Sequence, residues 1–246
     1  MFDFLIGKKS LPESGIYTGL IDLHSHILPD VDDGVRTMEE SLSILSEYEK
    51  YGVTRVKFTP HIMENFPKNN ADSLRAEFEK FKSEYQGNVE ISLAAEYMLD
   101  ADFYKHFDSG DVLTLFEDHI LVETSYIEPP VDVVGMISEI IKRGYFVVLA
   151  HPERYIYMDL KDYTTLKNMG VLFQMNLLSV FGVYGKEVTK KAEYLLKTSA
   201  YNFLGTDIHS SNLLNSRLNY AKLSKKVISQ ILSVKERGDL ILNERA

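Results

Sequence analysis

Five of the seven histidines in this chain of 246 residues stand directly behind apolar runs, and three carboxylates do the same. His24 and His26 follow the run at 19–23, His61 follows 53–59, His151 follows 146–150, and His209 lies just past 202–205. Glu96 comes after Ser92-Leu-Ala-Ala, Glu123 after Ile120-Leu-Val, and Asp207 after Phe203-Leu-Gly-Thr. Imidazole nitrogens and carboxylate oxygens are the donor set for Mn, Fe, Zn or Mg. Residues i and i+2 of an extended strand point the same way, so the two imidazoles of His24-Ser-His26 can face one cation. Asp207-Ile-His209 repeats that spacing. A lone His-x-His is an ordinary surface feature. Two such pairs, with Thr59-Pro-His61, Glu96, Glu123 and His151, make a metal centre the better reading. Eight or nine N and O donors exceed the four to six positions of one cation, so two or three metals sharing a bridging carboxylate fit better. Such a centre activates water and neutralises the charge of a transferring phosphoryl group. Phosphoester hydrolysis is therefore the chemistry expected.

Other polar residues have two readings. In the loop Pro29-Asp-Val-Asp-Asp-Gly34, the three aspartates Asp30, Asp32 and Asp33 are either turn residues, or one is a ligand and another supports the ligands or handles a proton. Gly34 would let the chain turn sharply there. Arg154, three residues past His151, could grip phosphate with two parallel N–H bonds, or pair with Glu153 or an acidic ligand. Arg36 and Arg217 are weaker candidates for the phosphate. Asp22 shares parity with His24 and either fixes an imidazole tautomer or is structural. His119 precedes its strand and belongs at the opposite, inert end. His106, in the polar stretch 102–111, reads as solvated, and the 15 tyrosines read as packing and rim residues.

These residues need a frame that brings them together. Seven short apolar runs, at 19–23, 53–59, 89–95, 120–123, 146–150, 171–175 and 202–205, are expected strands. Between them lie stripes of helical spacing: Met38, Leu42, Leu45 and Tyr48; Leu74, Phe78, Phe81 and Tyr85; Val133, Met136, Ile137, Ile140 and Ile141; Leu160, Tyr163, Leu166 and Met169; and Val188, Ala192, Leu195 and Leu196. A last helix is expected over about 215–237. Gly52, Gly144 and Gly170 fall where helices end. The alternation implies a parallel sheet covered by helices, whose strand C-termini share one edge and place the site there. The expected fold is an α/β, distorted (β/α)7 TIM-like barrel, in which the first and last strands lie side by side; an open doubly wound sheet is the alternative. Residues 20–246 read as one domain and 1–19 as an arm, packed or mediating oligomer contacts.

Composition narrows the class. There is no Cys, so disulfides and thiolate or thiol-phosphate chemistry are excluded, and a cytoplasmic location is expected. A net charge of −9 argues against a nucleic-acid partner. The apolar run 2–6 is too short for a secretory signal, and no stretch reads as a membrane insertion. No Gly-rich phosphate loop is present, so kinase-like nucleotide use has no support.

Ile21-Asp-Leu-His-Ser-His-Ile-Leu-Pro-Asp-Val-Asp-Asp-Gly34 resembles the opening motif of the polymerase and histidinol phosphatase (PHP) family. Within it, the chain is most similar to the bacterial manganese-dependent protein-tyrosine phosphatases of capsular and exopolysaccharide operons, the CpsB/YwqE type. Thr59-Pro-His61, Ala94-Ala-Glu96, Leu121-Val-Glu123, Leu149-Ala-His-Pro-Glu-Arg-Tyr155 and Thr206-Asp-Ile-His209 resemble later motifs of that subgroup. The resemblance implies a (β/α)7 barrel and a trinuclear centre, with Mn first and Fe or Zn as alternatives. His24, His26, Glu96 and Asp207 would surround one metal. Glu96 would bridge to a second with Glu123 and His151, and Asp33, His61 and His209 would hold a third. Asp33, His209 and Arg154 would act in catalysis, with Arg154 on the phosphate. Relatives carry another Arg where this chain has Leu214, and Arg217 is the candidate replacement. The resemblance implies a phosphotyrosine protein as substrate, the cytoplasmic tail of a polysaccharide-synthesis tyrosine kinase. A small phosphomonoester, such as histidinol phosphate, is the alternative substrate. A non-catalytic metal-binding regulatory module is the alternative class.

Overall fold

The computed structural model describes residues 7–108 and 110–243. Nine strand segments run parallel: β1 Ile21–Asp22, β2 Arg55–Phe58, β3 His61–Ile62, β4 Glu90–Leu93, β5 Glu96–Met98, β6 His119–Glu123, β7 Phe146–Ala150, β8 Leu172–Asn176 and β9 Phe203–Gly205. They form two sheets, one ordered β1-β2-β4 and the other β3-β5-β6-β7-β8-β9. The expected strands at 53–59 and 89–95 are β2 and β4, and beyond each of them the chain forms a further short strand, β3 and β5. Pro60 lacks the N–H that a ladder needs and separates β2 from β3. Ala94 and Ala95 separate β4 from β5. After each break the chain re-pairs one sheet further on, with His61 opposite Glu96 and Glu96 opposite Leu121. The edges of the sheet also approach each other. Leu23 N donates to Leu204 O at 3.3 Å, Asp207 N to His24 O at 2.8 Å and His26 N to Ile208 O at 3.0 Å. The result is a curled parallel sheet whose first and last strands are neighbours.

Helices cover its outer face: α1 Leu11–Ser14, α2 Met38–Tyr51, α3 Ala71–Glu84, α4 Phe103–Phe107, α5 Val133–Lys142, α6 Leu160–Asn168, α7 Lys186–Lys197, α8 Ser211–Leu213 and α9 Lys225–Asn243. The five periodic stripes lie on α2, α3, α5, α6 and α7, and Gly52, Gly144 and Gly170 follow α2, α5 and α6 with φ of 88°, 92° and 87°. The expected last helix is two pieces. A π-helical turn, Leu214–Leu218, continues α8, and α9 begins only at Lys225. The apolar stripe of Leu214 and Leu218 faces the core, but their spacing relative to α9 does not keep one helical phase. α4 was not expected, and it carries His106, which is half-buried rather than solvated.

The core has two compartments. The larger lies between sheet and helices. The smaller fills the interior of the curl with Leu23, Ala94, Leu115, Leu121, Val148, Ala150 and Phe203, and Ile241 and Leu242 of α9 pack against it. Burying each large side chain of this kind stabilises by roughly 1.5–3 kcal/mol. The chain ahead of β1 packs on the body: Leu11, Ile16 and Tyr17 are buried, and Lys9 pairs with Leu223 in an antiparallel bridge. The arm's first residues, 1–6, lie outside the described residues. Among the described residues no helix is long and apolar enough to cross a membrane.

Candidate metal centre

Alternation along the strands decides what reaches the mouth of the curl. On β6 the inward positions are His119, Leu121 and Glu123, from the N-terminal to the C-terminal end. Leu121 sits in the interior compartment and Glu123 at the rim. On β8 they are Leu172, Gln174 and Asn176. β9 ends with Gly205, where a Cβ would come within 2.5 Å of both Gln174 Nε2 and His24 Cβ. A side chain there would displace both, so glycine makes room for the centre. The chain then leaves the strands in unusual conformations. His151 has φ 31° and Asp207 φ 51°, left-handed values that non-glycine residues adopt at a cost and that concentrate at functional sites.

All nine expected ligands converge in four overlapping groups whose donor atoms lie within 4.8 Å of one another. These are His26, Asp33, His61 and His209; His24, Glu96 and His151; His24, His26 and Asp207; and His61, Glu96 and Glu123. His24, His26, His61 and Glu96 each belong to two groups, the pattern of donors shared between neighbouring cations. Eight of the nine side chains are deeply or largely buried, while the Asp33 carboxylate is 58% exposed at the rim.

The tautomers argue for cations directly. Gln174 Nε2 donates to Met175 O at 2.6 Å, and Gln174 Oε1 accepts from His151 N at 3.3 Å, which fixes the amide's orientation. The same Oε1 lies 2.8 Å from His24 Nδ1, so that nitrogen carries a proton and Nε2 is left to hold a second proton or a cation. Asp32 Oδ2, at 2.8 Å from His26 Nδ1, does the same for His26. The two Nε2 atoms then face each other at 3.1 Å. Two lone pairs at that distance repel unless a proton or a cation lies between them. Both oxygens of Glu96, His61 Nδ1 and both ring nitrogens of His151 are buried without an aligned hydrogen bond among the described residues, although Glu96 lies 3.0–3.2 Å from His24, His61 and His151. Buried polar atoms in native proteins are nearly always satisfied, and divalent cations would satisfy this set.

Without cations the charges must balance among themselves. Burial disfavours the protonated ring of His24, but Glu96 and Asp207 beside it raise its pKa to about 9. Burial likewise opposes protonation of His209, and Asp207 and Asp33 lift it to about 9. Hydrogen bonds from His209 and His61 hold Asp33 well below the usual carboxylate range. Burial pushes the Asp207 carboxyl up, and His24, His209 and Arg154 more than reverse that.

The remaining candidates sort by their contacts. Asp32 is the supporting aspartate of the loop: besides His26, it accepts from His61 N at 3.0 Å and Gly34 N at 2.9 Å. Gly34 is required by close approach, since a Cβ there would lie 2.3 Å from His26 O. Asp30 is an exposed turn residue with φ 59°. Asp22 touches no imidazole. β1 ends at Asp22 and the chain bends, so strand parity does not carry to His24; the carboxylate instead accepts from Thr206 N, Thr206 Oγ1 and Tyr48 OH. Arg154 donates to Asp207 Oδ2 at 2.7 Å and not to Glu153, which is buried among Asn176 N, Ser179 Oγ and Tyr201 OH. Arg36 and Arg217 are exposed and make no ion pair among the described residues, and Leu214 is fully buried. His119 lies at the far end, stacked between Phe116 and Phe146 at 4.2 and 4.7 Å.

Sequence reasoning missed Gln174, Asn176, Tyr126 and Tyr184. Asn176 Nδ2 donates to Asp207 Oδ2 at 2.6 Å and to Tyr184 OH at 3.1 Å. Tyr126 OH donates to Glu123 Oε2 at 3.2 Å. The signal for the amides was present: two of them at i and i+2 inside an otherwise apolar run.

A parallel α/β fold with imidazoles and carboxylates clustered at its strand C-termini, several of them shared between groups that could hold a metal ion, defines a candidate metal-dependent protein. The chain belongs to the CpsB/CapC family of capsular polysaccharide synthesis, which it matches over residues 20–233. It is 28% identical over 238 residues to the tyrosine-protein phosphatase CpsB of Streptococcus agalactiae, covering 92% of this chain and 96% of that protein. To CpsB of Streptococcus pneumoniae it is 27% identical over 235 residues, covering 91% and 96%. Its fold superposes with a TM-score of 0.73, at 22% identity, on a chain from the crystal structures of YwqE from Bacillus subtilis and CpsB from S. pneumoniae, described as unique metal-dependent tyrosine phosphatases. That match covers 89% of this chain and 88% of the other.

Proposed function

We propose that this chain is a metal-dependent protein-tyrosine phosphatase with three cations, manganese first, held by His24, His26, Asp33, His61, Glu96, Glu123, His151, Asp207 and His209. The observation that carries the reading is the crowding of donor atoms: His24 and His26 Nε2 face each other at 3.1 Å, and four imidazole nitrogens lie 3.0–3.3 Å from the buried oxygens of Glu96 without an aligned hydrogen bond. The two sheets, joined at the Pro60 and Ala94-Ala95 breaks, are read as one seven-stranded (β/α)7 barrel, with 20–246 as its domain and 1–19 as an arm packed on it. Cations bound here would supply activated water and neutralise the phosphoryl charge. The chain's own residues do the rest. Gln174 and Asp32 hold the imidazoles so that Nε2 faces inward. Arg154 uses one N–H on Asp207 and keeps the rest of its fork for phosphoryl oxygens. Arg217, from the turn after the buried Leu214, adds a second and weaker phosphate contact. Asp33, the exposed carboxylate of the set, passes a proton from the attacking water to solvent, with His209 Nε2 3.6 Å from its Oδ1.

The named relatives are tyrosine-protein phosphatases, and the proposed substrate is a phosphotyrosine-bearing protein of capsule or exopolysaccharide synthesis, a tyrosine kinase tail in the cytoplasm. Purified protein with Mn²⁺ should release phosphate from a phosphotyrosyl peptide, and EDTA should abolish the release. kcat/KM measured side by side for that peptide and for histidinol phosphate decides the substrate class. Turnover that survives complete metal removal overturns the reading.

A further inference from the structure

Arg154 is held on every side that the chemistry does not need. Its guanidinium carbon lies 4.0 Å from the ring centroid of Tyr126 and 4.2 Å from that of Tyr184. One N–H is bonded to Asp207 Oδ2 at 2.7 Å, and the side chain is only 16% exposed. The two rings come from different parts of the chain. Tyr126 follows β6 by three residues, and its hydroxyl is tied to Glu123. Tyr184 lies between Gly182 and Gly185, whose φ values of 75° and 92° turn the chain in and out again ahead of α7. Its hydroxyl accepts from Asn176, and Asn176 also holds the Asp207 oxygen that Arg154 holds.

We infer that Tyr126 and Tyr184 are positioning residues that clamp the Arg154 guanidinium between their faces, fixing it as a pre-set phosphate anchor. The proposal rests on the phosphatase reading. An unclamped arginine has many rotamers and loses entropy when it meets an anion, and a clamped one has lost it beforehand. Ring faces attract a guanidinium, and more strongly where water is excluded. The clamp also separates two roles for aromatic residues at a phosphotyrosine site. Rings that stack on the substrate would present a free face to it. Here both rings already present a face to Arg154, so the substrate meets the edge of the guanidinium rather than an aromatic slot. Because Arg154 and Asn176 share Asp207 Oδ2, the other oxygen, Oδ1, is left turned toward His24, His26 and His209 at 3.4–3.5 Å. The anchor and a metal ligand are thereby held by one network.

The test is a mutant cycle read by isothermal titration of inorganic phosphate into Mn²⁺-loaded protein, alongside KM and kcat for a phosphotyrosyl peptide. Tyr126→Leu and Tyr184→Leu should each weaken phosphate binding and raise KM about tenfold, as expected for a lost cation–π contact in a dry site. Tyr126→Phe and Tyr184→Phe keep the ring faces and should bind phosphate about tenfold more tightly than the matching Leu variants. The Leu and Phe variants of Tyr126 both lose the hydroxyl bond to Glu123, and those of Tyr184 both lose the bond from Asn176, so a change in kcat or Mn content common to Leu and Phe reads those bonds and not the clamp. In an Arg154→Ala background, Tyr→Leu should weaken phosphate binding no further, since the clamp then has nothing to hold. A metal-free readout is the Arg154 Nε–H resonance in ¹⁵N-arginine protein, displaced by the rings in wild type and moved toward the random-coil position in the Leu variants. Additive losses on the Arg154→Ala background, or Phe variants as weak as the Leu variants, would overturn the clamp while leaving the phosphatase intact. Wild-type protein that neither binds phosphate nor hydrolyses the peptide would overturn both.

Discussion

The two ends of β6 carry a histidine and a glutamate on the same inward face, and their surroundings have nothing in common. At the N-terminal end, His119 is 1% exposed and stacks between Phe116 and Phe146, above an interior of Leu23, Leu121, Val148 and Phe203. At the C-terminal end, Glu123 is equally buried but lies 3.1 Å from His61 and 3.9 Å from His151, in a cluster of like and unlike charges. Burial is the same; what differs is what each end packs against. In a parallel sheet every strand places its end at the same edge, so polar residues at that edge meet polar residues from all other strands, and those at the opposite edge meet side chains that close the core. Residue type alone does not separate a ligand from a packing group here. Position along the strand does.

The largest effect should follow from breaking one end and not the other. His151→Ala or Asp207→Ala removes a donor from the cluster and should lower kcat/KM on a phosphotyrosyl peptide by about three orders of magnitude or more, since activated water performs the attack. His119→Ala should leave kcat/KM within about twofold and lower Tm by several degrees, the cost of a cavity between two rings being roughly 2 kcal/mol or more. Steady-state kinetics with thermal melts on all three variants measures the contrast. Comparable losses of activity at both ends would mean that the two regions are coupled and the comparison is false.

Much of this division was legible in the sequence, because it depends on order along the chain. His24, His61, Glu96, Glu123, His151 and Asp207 stand behind apolar runs and His119 stands before one, and strand polarity does the rest. Nothing in the order of residues showed that a further short strand would follow Pro60 and another the Ala94-Ala95 pair, or that the last helix would begin anew at Lys225. Those depend on which neighbour the chain re-pairs with. Of the two readings of Asp22 the structural one holds, because strand parity does not extend past the end of β1. The i,i+2 spacing of Gln174 and Asn176 was visible but its meaning was not: inside a strand an amide reads as a neutral interruption until a ring nitrogen and a carboxylate are found opposite it.

Those amides give a mutation of intermediate effect. Gln174→Leu keeps the volume of the side chain and removes the acceptor that holds the His24 Nδ1 proton. The ring can then present either nitrogen to a cation. Loss of such a supporting partner typically costs 10- to 100-fold in metal affinity, and Mn²⁺ titration of the metal-free protein should fall in that range. Leu121→Ala, on the same inward layer but deeper, should instead cost about 2–5 kcal/mol of stability and leave metal affinity unchanged. A Gln174→Leu protein with wild-type affinity would place His24 under the control of its carboxylate neighbours alone.

The smallest effect concerns pH, and it distinguishes the metal-free centre from the apolar end most directly. In the metal-free protein the pKa values of His24 and His209 both stand at about 9, above the ordinary value of 6.5. A histidine whose folded pKa exceeds its unfolded pKa favours the fold fully below pH 6.5 and loses that contribution as the pH climbs through 9. The chelated protein should therefore melt several degrees lower at pH 9.5 than at pH 6.5. Cations require neutral imidazoles, so binding at pH 7 must displace these protons, and metal affinity should rise with pH across the same window. Calorimetric titration of Mn²⁺ at pH 7 in two buffers of different ionisation enthalpy counts the protons released: one to two are expected from this pair. The loaded protein should then show a smaller drop in Tm between pH 6.5 and 9.5 than the chelated one, and His119→Ala should leave that difference in place. A chelated protein whose Tm holds constant to pH 9.5, with no proton release on loading, would mean that the imidazoles are already neutral and that the two ends of the sheet differ in packing but not in charge.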